Sequence, residues 1–188
     1  MIFVTRGDKA KAIEELEVAK ARFKEGISIW IAPAVEQVCT SGGTAVLLRS
    51  YAPRSIDVPV DENIVQRLHA AYAPDVEPTW PLRAEVDLIT RTPEGTLLAD
   101  EGLATAARAA FAAGGISATE SGTYPLHPST VAYTFANRWP RQTLCLELRR
   151  DLIVKRFTPF AEMEADLEKC DRVAGLLAGA LCSWWAQK

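Results

Sequence analysis

One glutamate, Glu147, interrupts an otherwise apolar run, Thr143-Leu144-Cys145-Leu146-Glu147-Leu148, and Arg149, Arg150 and Asp151 follow it directly. An ionised carboxylate in an apolar strand is costly unless it is paired. Strand alternation puts Glu147, Arg149 and Asp151 on one face. Two chemistries suit that pattern. One is a strand-end acid/base beside an arginine that grips a substrate carboxylate; the other is a structural ion pair at the mouth of a sheet.

His127 is the second candidate. It sits between Leu126 and Pro128 in a loop that also holds Tyr124 and Pro125, so its ring is held in place either as a site group or by backbone hydrogen bonds. His69, on a helix flank, reads as a solvated or packing residue. These are the only 2 histidines, and neither has a partner at helix or strand spacing that would make a zinc pair, so spacing assigns no metal ligand. Arg83, Glu85, Asp87 and Arg91 form a further charged cluster that reads as a polar pocket lining or, preferably, as a wet sheet surface. Ser41-Gly42-Gly43-Thr44 lacks the lysine and spacing of a phosphate loop and precedes a strand, which removes it as a nucleotide motif.

Helices and strands must position these groups. Asp8 can cap an amphipathic helix over 9–25, and Ile27-Ser28-Ile29-Trp30-Ile31 reads as a strand stopped at Pro33. After the turn signal Ser41-Gly42-Gly43, a strand is expected over 44–48, and then a helix over 62–72 with Asp61 as its cap. A Pro-rich link leads to a strand over 85–89 and to an alanine-rich helix from its cap Asp100 to Ala113, ended by Gly114-Gly115. A short strand near Ile116, a loop over 120–128, a helix over 129–137 and the buried strand over 143–148 follow. Thr158 and Pro159 then start the last helix, with Met163, Leu167, Cys170, Ala174, Leu177 and Leu181 as its apolar stripe. This alternation predicts an α/β fold, a mixed or mostly parallel central sheet flanked by helices in one domain.

Composition bounds the function classes. The chain has 188 residues, 48% hydrophobic and 24% charged, which suffices for one compact domain. Its 21 Lys and Arg against 24 Asp and Glu give a net charge of −3, so no basic excess points to nucleic acid or to a membrane surface. No stretch approaches the roughly 20 apolar residues of a membrane span, and the opening residues lack the order of a secretory signal. The 4 cysteines fall singly, without a Cys-x-x-Cys pair. A cytoplasmic protein with free thiols is the expectation.

From about Val35 to Leu181 the order of blocks resembles the N-formylglutamate amidohydrolase family, zinc-dependent hydrolases with a fold akin to zinc carboxypeptidases. The blocks are Ala45-Val46-Leu47-Leu48-Arg49-Ser50-Tyr51-Ala52-Pro53, Pro81-Leu82-Arg83-Ala84-Glu85-Val86-Asp87-Leu88, Tyr124-Pro125-Leu126-His127-Pro128 and Leu144-Cys145-Leu146-Glu147-Leu148-Arg149-Arg150-Asp151-Leu152. The resemblance implies hydrolysis of a linear amide in a small carboxylate-bearing substrate, with zinc polarising the carbonyl. It makes Glu147 the general acid/base, with Arg149 or Arg150 for the substrate carboxylate. The family's early Pro-His block with its acidic ligand has no counterpart, and Arg49 stands before Ser50 where the family has a histidine. An arginine cannot ligate zinc, so the zinc that the family implies lacks its ligands and the activity is expected to be impaired.

Residues 1–33 resemble a different family, the glycerolipid acyltransferases, in the stretch leading to their phosphate-binding motif, but the chain reads Ala34-Val35-Glu36 where that motif would follow. The His-x-x-x-x-Asp pair of such enzymes is also absent. The economical reading is a fusion: an acyltransferase-like β-α-β fragment, 1–33, packed on an amidohydrolase-like portion, 34–188. The expected site is then Glu147 and His127 as catalytic groups with Arg49, Arg83, Arg149 and Arg150 around a small anionic substrate. An inactive binding or structural remnant is the alternative, and an acyltransferase the weaker one. A missing sheet strand would leave an edge through which copies could associate.

Overall fold

Strands β1 (Ala45–Tyr51), β2 (Val86–Ile89), β3 (Ala118–Glu120) and β4 (Thr143–Arg149) form a four-stranded sheet in the order β1-β4-β2-β3. The computed structural model describes residues 31–187, and within them β2 runs antiparallel to β4 and parallel to β3, so the sheet is mixed. β4 is an inner strand, buried from Thr143 to Leu148, which is why its sequence is apolar on both faces. The expected α/β arrangement is therefore present.

The chain divides into two compact units at the Ala45–Val46 boundary. In the first, residues 31–40 are helical (α1), with Val35 and Cys39 buried one turn apart. Gly42, at φ +79°, ends this helix: Gly43 N donates to Val38 O at 2.9 Å and Gly42 N to Cys39 O at 3.1 Å, the paired bonds of a left-handed C-terminal cap. Ser41-Gly42-Gly43 is thus a helix stop. The expected helix over 9–25 and strand residues 27–30 lie outside the described residues, and Ile31 and Pro33, assigned to the strand and its end, are helical instead.

In the second unit the helices are α2 (Ile64–Ala71), α3 (Glu101–Ala113), α4 (Val131–Arg138) and α5 (Leu167–Trp185). Val86 and Leu88 of β2 and Leu144, Leu146 and Leu148 of β4 pack on one face against Leu103, Ala104, Ala107 and Phe111 of α3 and Val173, Ala180 and Trp184 of α5. Phe111 is fully buried, so its truncation to Ala would cost about 3–5 kcal/mol. The helices meet closely where α3 ends: a Cβ on Gly114 would run into the Leu176 side chain. Ile89 and Cys145 face the other way, into a smaller cluster with Leu98, Leu126, Ala132 and Ala136, so α4 and the loop before it cover that second face.

Capping explains several boundaries. Asp100 accepts from Leu103 N at 3.0 Å, as expected, and also from Trp184 Nε1 at 3.0 Å, tying α3 to α5. Thr130 caps α4 by accepting from Tyr133 N, so this helix begins at Val131 and not at Ser129. Asp61 does not cap α2; its carboxylate accepts from Asn63 N and from Arg67 one turn ahead of the helix.

Two expectations are corrected by packing. The last helix starts at Leu167, capped by Asp166, and not at Thr158. Phe160 adopts φ +59°, a left-handed conformation that a right-handed helix cannot contain. Its buried face also differs from the expected stripe: Leu167 is 74% exposed and Ala174 is exposed, while Val173, Ala180 and Trp184 are buried. The wet-surface reading of the cluster around Asp87 fails too, because Val86 to Ile89 are all buried and Asp87 is fully so.

Candidate functional site

The ladder that joins β2 to β4 sets Glu147 directly opposite Asp87, and Asp87 in turn is paired with Thr119 of β3. These three residues make a polar row across three strands, on the face away from the α3–α5 core. At one end of the row a cleft of about 490 Å³ opens, with Arg49, Tyr51, Cys145 and Glu147 on the strands and Tyr124, His127 and Thr130 on the segment that leads into α4.

Glu147 is largely buried, its side chain 9% exposed, and Arg49 Nε stands 3.5 Å from its Oε1. Burial raises the proton affinity of this carboxyl above its ordinary value; Arg49, Arg83 and Arg150 oppose the shift and Asp87 reinforces it. The group therefore keeps its proton to higher pH than a surface glutamate does.

Arg83 lies with its guanidinium carbon 5.3 Å from the Tyr51 ring centre and 5.4 Å from that of Tyr124, a stacking suited to a planar cation. Its Nε is buried without a hydrogen-bond partner among the described residues. Tyr51 donates to Ala84 O at 2.6 Å, and burial pushes its hydroxyl up to about 12. Burial likewise pushes Cys145 up to about 12, so this cleft thiol stays protonated near neutrality and is no nucleophile.

His127 is exposed at the cleft wall. Its Nδ1 accepts from Ser129 N at 3.2 Å and lies 2.7 Å from Ser129 Oγ, and its carbonyl accepts from Thr130 N and Oγ1. The ring is thus oriented by the start of α4, with Nε2 left for a ligand. Buried Leu126, whose N donates to Arg91 O at 2.7 Å, anchors the loop beneath.

The expected residues do not all converge. Glu147, Arg49 and His127 line one cleft, with Arg83 stacked on two of its tyrosines. Arg150 reaches Ser50 Oγ and O of β1 at 3.4 and 3.5 Å. The Arg149 guanidinium is engaged elsewhere, by Asp151 at 2.8 Å, the Arg83 carbonyl at 3.0 Å and Glu85 at 3.5 Å. His69 stacks on Phe160 with ring centres 4.0 Å apart, which is packing. Sequence reasoning undervalued Asp87, although the signal was present: an acid between Val86 and Leu88 poses the same burial question as Glu147.

The donor set does not fit a zinc ion. Among the described residues no group of three His, Cys, Asp or Glu side chains is placed to hold a metal. The cleft offers one imidazole, one carboxylate and the buried Cys145 thiol, not grouped to hold a metal and with a guanidinium against the carboxylate, whereas a catalytic zinc takes about three convergent protein ligands. Among the described residues, no helix is long and apolar enough to cross a membrane.

No protein-family model and no curated protein matches the chain. Among solved structures, an N-formylglutamate amidohydrolase from Ralstonia eutropha JMP134 is similar over 93% of this chain and 54% of its own, with a TM-score of 0.55 and 18% identity. A gene product of Agrobacterium tumefaciens, Atu2144, aligns over 97% of this chain and 56% of its own, with a TM-score of 0.47 and 16% identity.

Proposed function

From a fold shared with an N-formylglutamate amidohydrolase, and a length about half that of the similar structures, we propose an amidohydrolase-like cleft that binds a small linear amide carrying a carboxylate. The observation that carries this reading is the buried Glu147 carboxyl with Arg49 at 3.5 Å on the wall of an otherwise largely apolar cleft. Arg83, stacked on Tyr51 and Tyr124 of the cleft, and Arg150 add positive charge for the ligand carboxylate, and His127 Nε2 serves as a polar contact. In hydrolysis, Glu147 takes a proton from water as the water oxygen adds to the carbonyl carbon. It returns that proton to nitrogen as the C–N bond breaks, giving a carboxylic acid and an amine. Arg49 faces the oxygen on which charge develops. The described cysteines are free, which suits the cytoplasm.

A second reading, binding without turnover, is favoured by the donor set that does not fit zinc. One experiment separates them. Calorimetry with a panel of N-formyl and N-acetyl amino acids reads binding, and formate or acetate release by the same full-length chain reads turnover. Binding with turnover that Glu147→Gln abolishes supports the hydrolase; binding with no turnover supports the second reading; absence of binding across the panel removes both.

A further inference from the structure

We infer that Asp87 is the positioning residue of this cleft: one buried carboxylate that holds the segment carrying Tyr124 and His127 in place and sets a fixed negative charge across the strand ladder from Glu147.

The holding role follows from its partners. Asp87 Oδ1 accepts from Thr119 Oγ1 at 2.9 Å and from Gly122 N at 3.0 Å, and Oδ2 accepts from Thr123 N at 2.6 Å. Each is a donor, so both carboxyl oxygens serve as acceptors, the pattern a carboxylate meets in full. An Asn at 87 would turn an amide N–H₂ toward a backbone N–H. After Thr123 the chain runs through Tyr124 and Pro125 to Leu126 and His127, so the bonds to Asp87 fix where the cleft wall begins. Ser121, at φ +50°, completes the clamp, its Oγ accepting from Thr90 N and Arg91 N at 3.0 and 3.1 Å.

The charge role follows from what Asp87 lacks. It is fully buried and makes no ion pair among the described residues. Its three donors are neutral dipoles, which solvate the charge without cancelling it. Residues directly opposite on an antiparallel pair have Cβ atoms about 5 Å apart, close enough for one buried charge to act on the other. Arg49 of β1, Arg83 before β2 and Arg150 after β4 all favour ionised Glu147, and Tyr51 and Cys145, the other titratable groups beside it, are neutral near pH 7. His127 faces the same cleft from the wall before α4. Asp87 thus opposes the arginines in the same direction as burial does.

The significance for catalysis rests on the reading of Glu147 as the acid/base, but the test needs no substrate. Carbon-detected NMR of ¹³C-labelled glutamate carboxyls, with Glu147 assigned through Glu147→Gln, gives its titration midpoint in the full chain. In Asp87→Asn the midpoint is expected to fall, and the amides of Gly122 and Thr123 to exchange with solvent at least about tenfold faster. In Thr119→Val, a near-isosteric change at an exposed strand position, Asp87 loses a donor that favours its ionised form, its charge is held less firmly, and the Glu147 midpoint is expected to fall, by less than in Asp87→Asn. An unmoved midpoint in Asp87→Asn overturns the inference; where that variant does not fold, an unmoved midpoint in Thr119→Val overturns it. A purely structural Asp87 would lower stability and leave both midpoints alone. Shifted midpoints in a chain that binds no amide would sink the proposed function and leave this inference standing.

Discussion

Arg49 Nε and Glu147 Oε1 are 3.5 Å apart, yet they belong to different environments: the arginine side chain is 58% exposed and the glutamate side chain 9%. The pair costs the protein little on the arginine side, where water still solvates the guanidinium, and more on the glutamate side, where burial disfavours the charge. That asymmetry means the two members respond differently to substitution.

Replacing Arg49 with Met is expected to push the Glu147 carboxyl further above its ordinary value, because the nearest stabilising cation is gone while burial and Asp87 remain. Stability at pH 7 should change by no more than about 1 kcal/mol, as for other ion pairs with an exposed member. Carboxyl titration by NMR beside urea denaturation checks both statements; an unmoved Glu147 midpoint would show that the 3.5 Å contact carries no electrostatic weight.

The pH dependence of stability has a definite sign. Because the Glu147 carboxyl is raised in the folded chain, the native state holds a proton that the unfolded state has released over the interval between the ordinary and the native values. Its contribution is full below that interval and lost as pH rises through it. Glu147→Gln, neutral throughout, escapes the loss. It is expected to exceed the wild type in stability by about 1 kcal/mol at pH 8 and to lose that advantage toward pH 4. Chemical denaturation of both proteins at the two pH values decides it, and an equal difference at both would refute the assignment.

Arg149 and Arg150 are neighbours with separate tasks. Arg149 joins Asp151, Glu85 and the Arg83 carbonyl, so Arg149→Ala should cost about 2–3 kcal/mol through the partners it strands. Among the described residues Arg150 makes long contacts to Ser50, and Arg150→Ala should cost less than about 1 kcal/mol. Equal losses in urea denaturation would contradict this division.

At Phe160 the usual ranking of substitutions inverts. Its φ of +59° favours glycine, so Phe160→Gly should be more stable than Phe160→Ala by about 1 kcal/mol. Both should fall below the wild type, since each loses the stacking on His69 and the edge contact with Tyr72.

Sequence pattern located most of the sheet and helices because the apolar residues repeat at the right spacing. β4 stood out through five apolar or small residues around one acid, and α3 through Asp100 at its start and Gly114-Gly115 at its end. The failures trace to longer-range causes. Nothing local in Thr158-Pro159-Phe160 announces a left-handed phenylalanine, so the pattern predicts a start at Thr158 for a helix that begins at Leu167. Ile31 follows branched and aromatic residues that favour a strand, and it is helical. Glu147 could be singled out from its neighbours, whereas the partnership with Asp87 depends on strand register, which only the folded sheet supplies.

The alternation along β2 and β4 separates two kinds of consequence by the parity of the residue number. Val86, Leu88, Leu144, Leu146 and Leu148 support the larger core, while Asp87, Ile89, Cys145 and Glu147 look toward the cleft or its floor. A substitution at one of the even positions in these strands falls on the larger core, whereas one at Asp87 or Glu147 falls on the cleft. The polar row of the cleft can therefore diverge while the larger core on the opposite face keeps its packing.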